Sequence, residues 1–205
     1  MNKPILYTLG HSTHPIEYFI SLLIDYNIDC VVDVRSVAAS RFNPQFNKKS
    51  LSRSLEAQGI MYWHLGDEFG ARQTDLKLLD SDGFVDFNMM RTSEQFQLGL
   101  KKIARGIVDG HTIGLMCSEA DPLHCHRFAM ISPALTSYDV RHILKDKSFL
   151  TQQQLEETLV KMYSKKLKSP EIFEVFDPLT SAYRLLNKSM AYSPTQSKPI
   201  RKKGI

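Results

Sequence analysis

Short apolar runs of strand length alternate along the chain with segments whose apolar residues recur at helical spacing, and this alternation limits the fold more than any other feature. The strand candidates are residues 5–9, 30–35, 60–65, 112–116 and 140–144. Between and after them, Ile16, Phe19, Ile20 and Leu23 share one helical face, as do Leu51 and Leu55, then Phe96, Leu100, Ile103 and Ile107, then Phe128, Ile131 and Leu135, and finally Leu155, Leu159 and Met162. Punctuation agrees: Pro15 stands in a first turn, Asn27 and Gly59 serve as left-handed terminators, and Thr92 with Gln95 and Thr151 with Gln154 make capping boxes. Asp121-Pro122 opens a further helix, which Pro133 bends. Strands that alternate with helices are joined by crossovers, so the expected fold is α/β: a mostly parallel, five-stranded sheet with helices on both faces. This domain is expected over residues 5–165. Residues 73–91 are irregular. From 166 to 205, Ser169-Pro170, Asp177-Pro178 and Ser193-Pro194 interrupt the pattern, which reads as a C-terminal extension with a basic, disordered tip.

With 205 residues, 42% of them hydrophobic, the chain can bury a core without a disulfide or metal staple. The net charge of +4 is supplied by Lys198, Arg201, Lys202 and Lys203, so residues 1–197 are neutral overall. That argues against a broad nucleic-acid-binding face and directs attention to a local basic pocket. Three cysteines are too few, and odd in number, for a disulfide framework; reduced thiols are expected, with Cys30 a small core residue. No apolar run is long enough to span a bilayer, and the chain enters a strand at Ile5 without a charged-then-apolar leader. No membrane partner and a cytoplasmic location are the resulting expectations; oligomeric state is not encoded in any of these features.

In an open parallel sheet, ligands sit beyond the carboxyl ends of the strands. Polar residues of this chain gather at those ends: His11 and Ser12 after the first strand, Asp33 and Arg35 ending the second, Arg72 beyond the third, and Cys117 and Glu119 after the fourth. Residues 115–127 are the richest in reactive groups, with two thiols, two imidazoles, two carboxylates and a guanidinium.

Four motifs in order carry a resemblance: Thr8-Leu9-Gly10-His11-Ser12; Asp33-Val34-Arg35-Ser36; Ser40-Arg41-Phe42-Asn43-Pro44-Gln45-Phe46; and Met116-Cys117-Ser118-Glu119-Ala120-Asp121-Pro122 with Cys125-His126-Arg127. Over about residues 5–160 the chain resembles the domain-of-unknown-function-488 family, which implies no settled activity. One stretch departs from the family's Leu-Gly-Gly-Arg-like turn after the third strand: here it reads Gly66-Asp67-Glu68-Phe69-Gly70-Ala71-Arg72.

Cys117 is the candidate nucleophile or thiol ligand, because a cysteine at the rim can have its thiolate stabilised by cations and backbone amides. An inert strand-end thiol is the alternative. Glu119 and His11 are the candidates for proton transfer, against a solvated carboxylate and a structural histidine. Arg35, Arg41, Arg72 and Arg127 would grip an anion, with Ser12, Asp33, Asn43 and His126 contributing to its binding; ion pairs with Asp33, Asp67 or Glu68 are the competing role for the first arginines. Consecutive α-helical residues point about 100° apart, so His126 and Arg127 are assigned to the pocket and Cys125 to packing. Zinc held by Cys117, Cys125 and His124 or His126 is the rival arrangement, but the Cys117-to-Cys125 spacing is not that of a knuckle or ribbon, and the expectation is no metal and no cofactor. A cysteine phosphatase loop does not fit, because Leu123 and Ile131 stand where its arginine is required. Two functions follow from this set. One is a thiol-dependent hydrolase or group-transfer enzyme acting on an anionic small molecule, nucleotide or nucleic acid; the other is a non-catalytic module that binds nucleic acid or a phosphate ligand.

Overall fold

The computed structural model describes residues 3–167 and 177–194. The basic tip expected at the C-terminus lies outside the described residues. Strands β1 (Ile5–Gly10), β2 (Cys30–Asp33), β3 (Met61–His64), β4 (Ile113–Cys117), β5 (Asp139–Ile143) and β6 (Phe149–Thr151) form one sheet in the order β3-β2-β4-β1-β5-β6. Five strands are parallel, and β6 alone pairs antiparallel, with β5. The sheet therefore has six strands where the sequence pattern predicts five. β6 escapes the pattern because three residues, one of them exposed, show no periodicity of their own.

Both faces are covered, as the near-continuous apolar runs require. On one face lie α1 (Ile16–Asp25) and α2 (Lys48–Glu56), which bury Phe19, Leu22, Leu23, Leu51 and Leu55 against Tyr7, Leu9, Val31 and Met116. Each fully buried leucine contributes about 2 kcal/mol from area removed from water. On the other face lie α3 (Gly66–Phe69), α4 (Phe87–Thr92), α5 (Glu94–Val108), α6 (Gln152–Tyr163) and α7 (Pro178–Met190), over Leu6, Val32, Val34, Leu115 and Val140. No helix among the described residues is long and apolar enough to cross a membrane.

Thr151 and Gln154 form the capping box of α6. The start of α5 is displaced by one residue from the expectation: Ser93, not Thr92, accepts from the Phe96 amide, while the Thr92 hydroxyl bonds back to Met89 inside α4. α4 itself falls in the stretch that looked irregular. Asp177-Pro178, a break by composition, is the N-cap and first residue of α7, with the aspartate accepting from the Leu179 amide. α7 buries Ala182 and Leu186, and Asn187 clasps residues 85–87 by accepting from the Phe87 amide and donating to the Val85 carbonyl. The expected helix after Asp121 is instead a 3-10 turn (Pro122–His124), a π-helical turn (Arg127–Ile131) and a second 3-10 turn (Ser132–Ala134). Pro133 accounts for the loss of regular α geometry at its end, since it cannot donate to the preceding turn.

Candidate functional site

The carboxyl ends of β2, β4 and β1 lie side by side, with Gly10 opposite Cys117 and Asp33 opposite Met116 in the register. Beyond them opens a cleft of about 700 Å³. One wall is the loop after β2, with Arg35, Ser36, Val37 and Ser40; the floor is Cys117 and Ser118 with Glu119 and His126. Ala71 and Arg72 follow α3, and another wall comes from Phe84, Phe87, the last residue of α7, Met190, and the segment after it to Ser193. Arg72 reaches this cleft because Gly70 lets the chain pass Ser36: a Cβ there would stand 2.3 Å from the Gly66 carbonyl oxygen and 2.5 Å from Ser36 Oγ. The Arg72 amide then donates to Ser36 Oγ at 2.9 Å.

The loop after β4 is bound to the end of β1. His11 and Ser12 amides donate to the Cys117 and Ser118 carbonyls, each at 2.9 Å. A Cβ on Gly10 would lie 1.8 Å from the Glu119 carbonyl oxygen, so only glycine permits this approach. From the other side Arg127, fully buried, donates to the carbonyls of Glu119 at 2.5 Å and Ala120 at 3.0 Å, and its Nε has no partner among the described residues. Arg127 therefore clamps the loop from inside the core and does not face the cleft.

Four functional groups meet at the floor. Cys117 Sγ donates to Glu119 Oε2 at 3.0 Å and lies 3.7 Å from His126 Nδ1; Cys125 Sγ lies 3.3 Å from the same carboxylate oxygen and 4.0 Å from the same ring nitrogen. Both sulfurs and Nδ1 are mutually within 4.8 Å, a set of donors that suits a metal ion. His126 Nε2 donates to the Val34 carbonyl at 3.1 Å, which turns Nδ1 toward the sulfurs. The α-helical angle argument that separated Cys125 from His126 fails for a physical reason: Cys125 is extended, at φ −132° and ψ 140°, between the 3-10 turn and the π turn. Its sulfur consequently joins the cluster.

The two thiols share their protons unequally. A hydrogen bond to Cys125 and burial push Cys117 well up. Burial opposes ionisation of Cys125, but the hydrogen bond from Cys117, the Arg127 charge and His126 outweigh it and hold Cys125 well down.

Beside this cluster lies a second polar network. Asp33 holds Arg35 in a bidentate pair, Nε to Oδ1 at 2.8 Å and Nη2 to Oδ2 at 2.6 Å, and Tyr62 donates to Oδ2 at 2.7 Å. Arg35 also donates to the Phe46 carbonyl at 2.8 Å and meets His11 Nε2 at 3.1 Å. Of five guanidinium N–H groups, these bonds leave one for the cleft. His11 donates from Nδ1 to the Ser12 carbonyl at 2.8 Å, so its Nε2 lone pair accepts from Arg35, and its ring stacks on Phe46 at 4.2 Å. Burial lowers its pKa to about 4. His11 is thus a buried, neutral acceptor that orients Arg35. Ser12 contributes its backbone, in a left-handed turn at φ 48°. Arg41 is exposed and Asn43 half-buried, both in the loop between β2 and α2 and away from the cleft floor.

Of the residues singled out by sequence, the fold brings Arg35, Arg72, Cys117, Glu119 and His126 onto the cleft and places His11, Asp33 and Arg127 in the layer beneath it. Sequence reasoning placed Cys125 in packing, with a zinc ligand as the rival role, and missed the wall from Met190 to Ser193, for which no local signal exists. No curated protein and no solved structure matches the chain. The family profile described as "domain of unknown function DUF488" matches residues 15–132, more than half of the chain and the span that includes both polar networks except His11 and Ser12. The chain belongs to the DUF488 family.

Proposed function

We propose that the protein is an enzyme of the hydrolase or group-transfer type that takes an anionic substrate into this cleft. The observation that carries the reading is the Cys117 sulfur on the cleft floor, 3.0 Å from the Glu119 carboxylate and below the loop that carries Arg35. The spare N–H of Arg35 and the exposed guanidinium of Arg72 receive the anion. Glu119 moves the proton, being the exposed carboxylate nearest the sulfur, and Cys117 is the sulfur on which the reactive centre depends. His11 and Asp33 act through Arg35 as positioning residues. The test is turnover of chromogenic phosphate and carboxylate esters by the full chain. Cys117→Ser should abolish it with the fold intact by circular dichroism, and Glu119→Gln should lower it by about 10² to 10⁴-fold. Undiminished turnover in Cys117→Ser refutes the reading.

One observation favours a second reading, a binding module for single-stranded nucleic acid. Residues 34–55 contain no acidic side chain, and Arg41, Lys48, Lys49 and Arg53 are all exposed around Phe42, which is 94% exposed. Cations that follow a phosphate backbone beside an aromatic ring that stacks a base are the elements of such a surface.

A further inference from the structure

We propose that Cys117, Cys125 and His126 bind a zinc ion, with the fourth coordination position open to the cleft beside Glu119. The inference rests on reading this cluster as the reactive centre, and it gives Cys117 the part of a metal ligand there.

The geometry is close to what the ion needs. Bonds of about 2.3 Å to sulfur and about 2.0 Å to imidazole nitrogen give tetrahedral edges of about 3.6 Å between sulfur and nitrogen. The corresponding separations here are 3.7 Å from Cys117 and 4.0 Å from Cys125 to His126 Nδ1, and the two sulfurs and that nitrogen all lie within 4.8 Å of one another, so the three atoms need only draw inward to complete the site. The ring is oriented as metal-bound imidazoles are: Nε2 donates to a backbone carbonyl, that of Val34, which fixes the tautomer whose Nδ1 lone pair faces the sulfurs. Two sulfurs and one nitrogen favour zinc over the hard cations, which take oxygen.

Charge and burial point the same way. Cys117 and Cys125 are buried and His126 half-buried, so an ion among them is shielded from bulk water on all sides but that of the cleft. Two thiolates and a dication cancel, and the buried Arg127 guanidinium bears on both sulfurs and balances the adjacent Glu119 carboxylate. His124, the other imidazole of the segment, is exposed and bonded to Asp121 at 3.1 Å, which leaves His126 as the nitrogen ligand.

Three protein ligands and an open position are the arrangement of catalytic zinc, not of a closed structural site. A water in that position gives a proton to Glu119 and remains on the metal as hydroxide. The hydroxide adds to the carbonyl or phosphoryl centre of the substrate, the bond to the leaving group breaks, and Glu119 returns the proton to that group. Atoms and charge balance with water as the only co-reactant.

The test uses the full chain, reduced, stripped with a chelator, and reloaded. One zinc per chain should survive desalting, and cobalt(II) in its place should give visible tetrahedral bands with a sulfur-to-metal charge-transfer band in the near ultraviolet. Zinc should shield two thiols from iodoacetamide in the parent protein. Cys125→Ser and His126→Gln, checked for folding by circular dichroism, should lose stoichiometric binding, while Glu119→Gln should retain it. Absence of retained metal, or equal retention by Cys125→Ser, overturns the site. The two readings separate cleanly. Turnover that persists in stripped protein but is lost in Cys117→Ser removes the metal and leaves the enzyme; one zinc per chain without turnover of any ester does the reverse.

Discussion

Replacing Gly10 with alanine tests whether the end of β1 holds the reactive loop in place. The added methyl would stand 1.8 Å from the Glu119 carbonyl oxygen, and because real contacts of this kind begin near 3.0 Å, the carbonyl must retreat by about 1.2 Å. It is not free to do so. Arg127 holds the same oxygen at 2.5 Å, and the His11 and Ser12 amides hold the two preceding carbonyls at 2.9 Å. Overpacking alone costs about 1–3 kcal/mol, and each hydrogen bond given up adds about 1 kcal/mol, so a loss of about 3 kcal/mol is the working figure. For a chain of this size that lowers Tm by about 6–12 °C. Retreat of Glu119 also takes its carboxylate away from both sulfurs, so the rate of Cys117 alkylation by iodoacetamide should change in the same variant. Thermal melts followed by circular dichroism and peptide mapping of the alkylated protein provide the two readouts. A Tm within about 2 °C of the parent, with alkylation unaltered, would show that Gly10 does not abut the Glu119 loop.

Two further outcomes follow from other parts of the structure. Burial lowers both His11 and His142 to about 4 from 6.5, so between pH 6.5 and pH 4 the unfolded chain takes up protons that the fold refuses, and stability present above pH 6.5 is lost on acidification. Each histidine accounts for at most about 3 kcal/mol of this, and a His142→Asn variant should show a shallower fall in Tm between pH 7 and pH 5; an identical slope would contradict the assignment. For the nucleic-acid reading, four exposed cations that each neutralise a phosphate predict a slope near −3 in log affinity against log salt for a single-stranded oligonucleotide, or about a 50-fold weakening from 50 to 200 mM; affinity indifferent to salt would exclude that surface.

The parallel strands were legible because a strand buried on both faces must be almost wholly apolar, as Ile113 to Cys117 is. Their common direction made the rim legible too: residues as far apart in sequence as Arg35 and Cys117 line one cleft. What could not be read depends on departures from regular geometry. Cys125 was assigned away from the pocket by an α-helical angle that does not apply to an extended residue. Arg127 looked like an anion ligand by composition, yet its guanidinium is spent on two backbone carbonyls, a use that no side-chain pattern announces. β6 is too short to display a period, and α7 begins at an Asp-Pro pair whose turn and helix-start meanings are identical in sequence.

A further wall of the cleft is supplied by Met190 to Ser193, anchored where the Val85 amide donates to the Tyr192 carbonyl and where Asn187 grips residues 85–87. A chain emerging from the ribosome acquires Cys117 and Cys125 well before these residues exist. For that interval the cleft lacks one wall, and it is complete only after α7 and the residues to Ser193 have been translated and have docked.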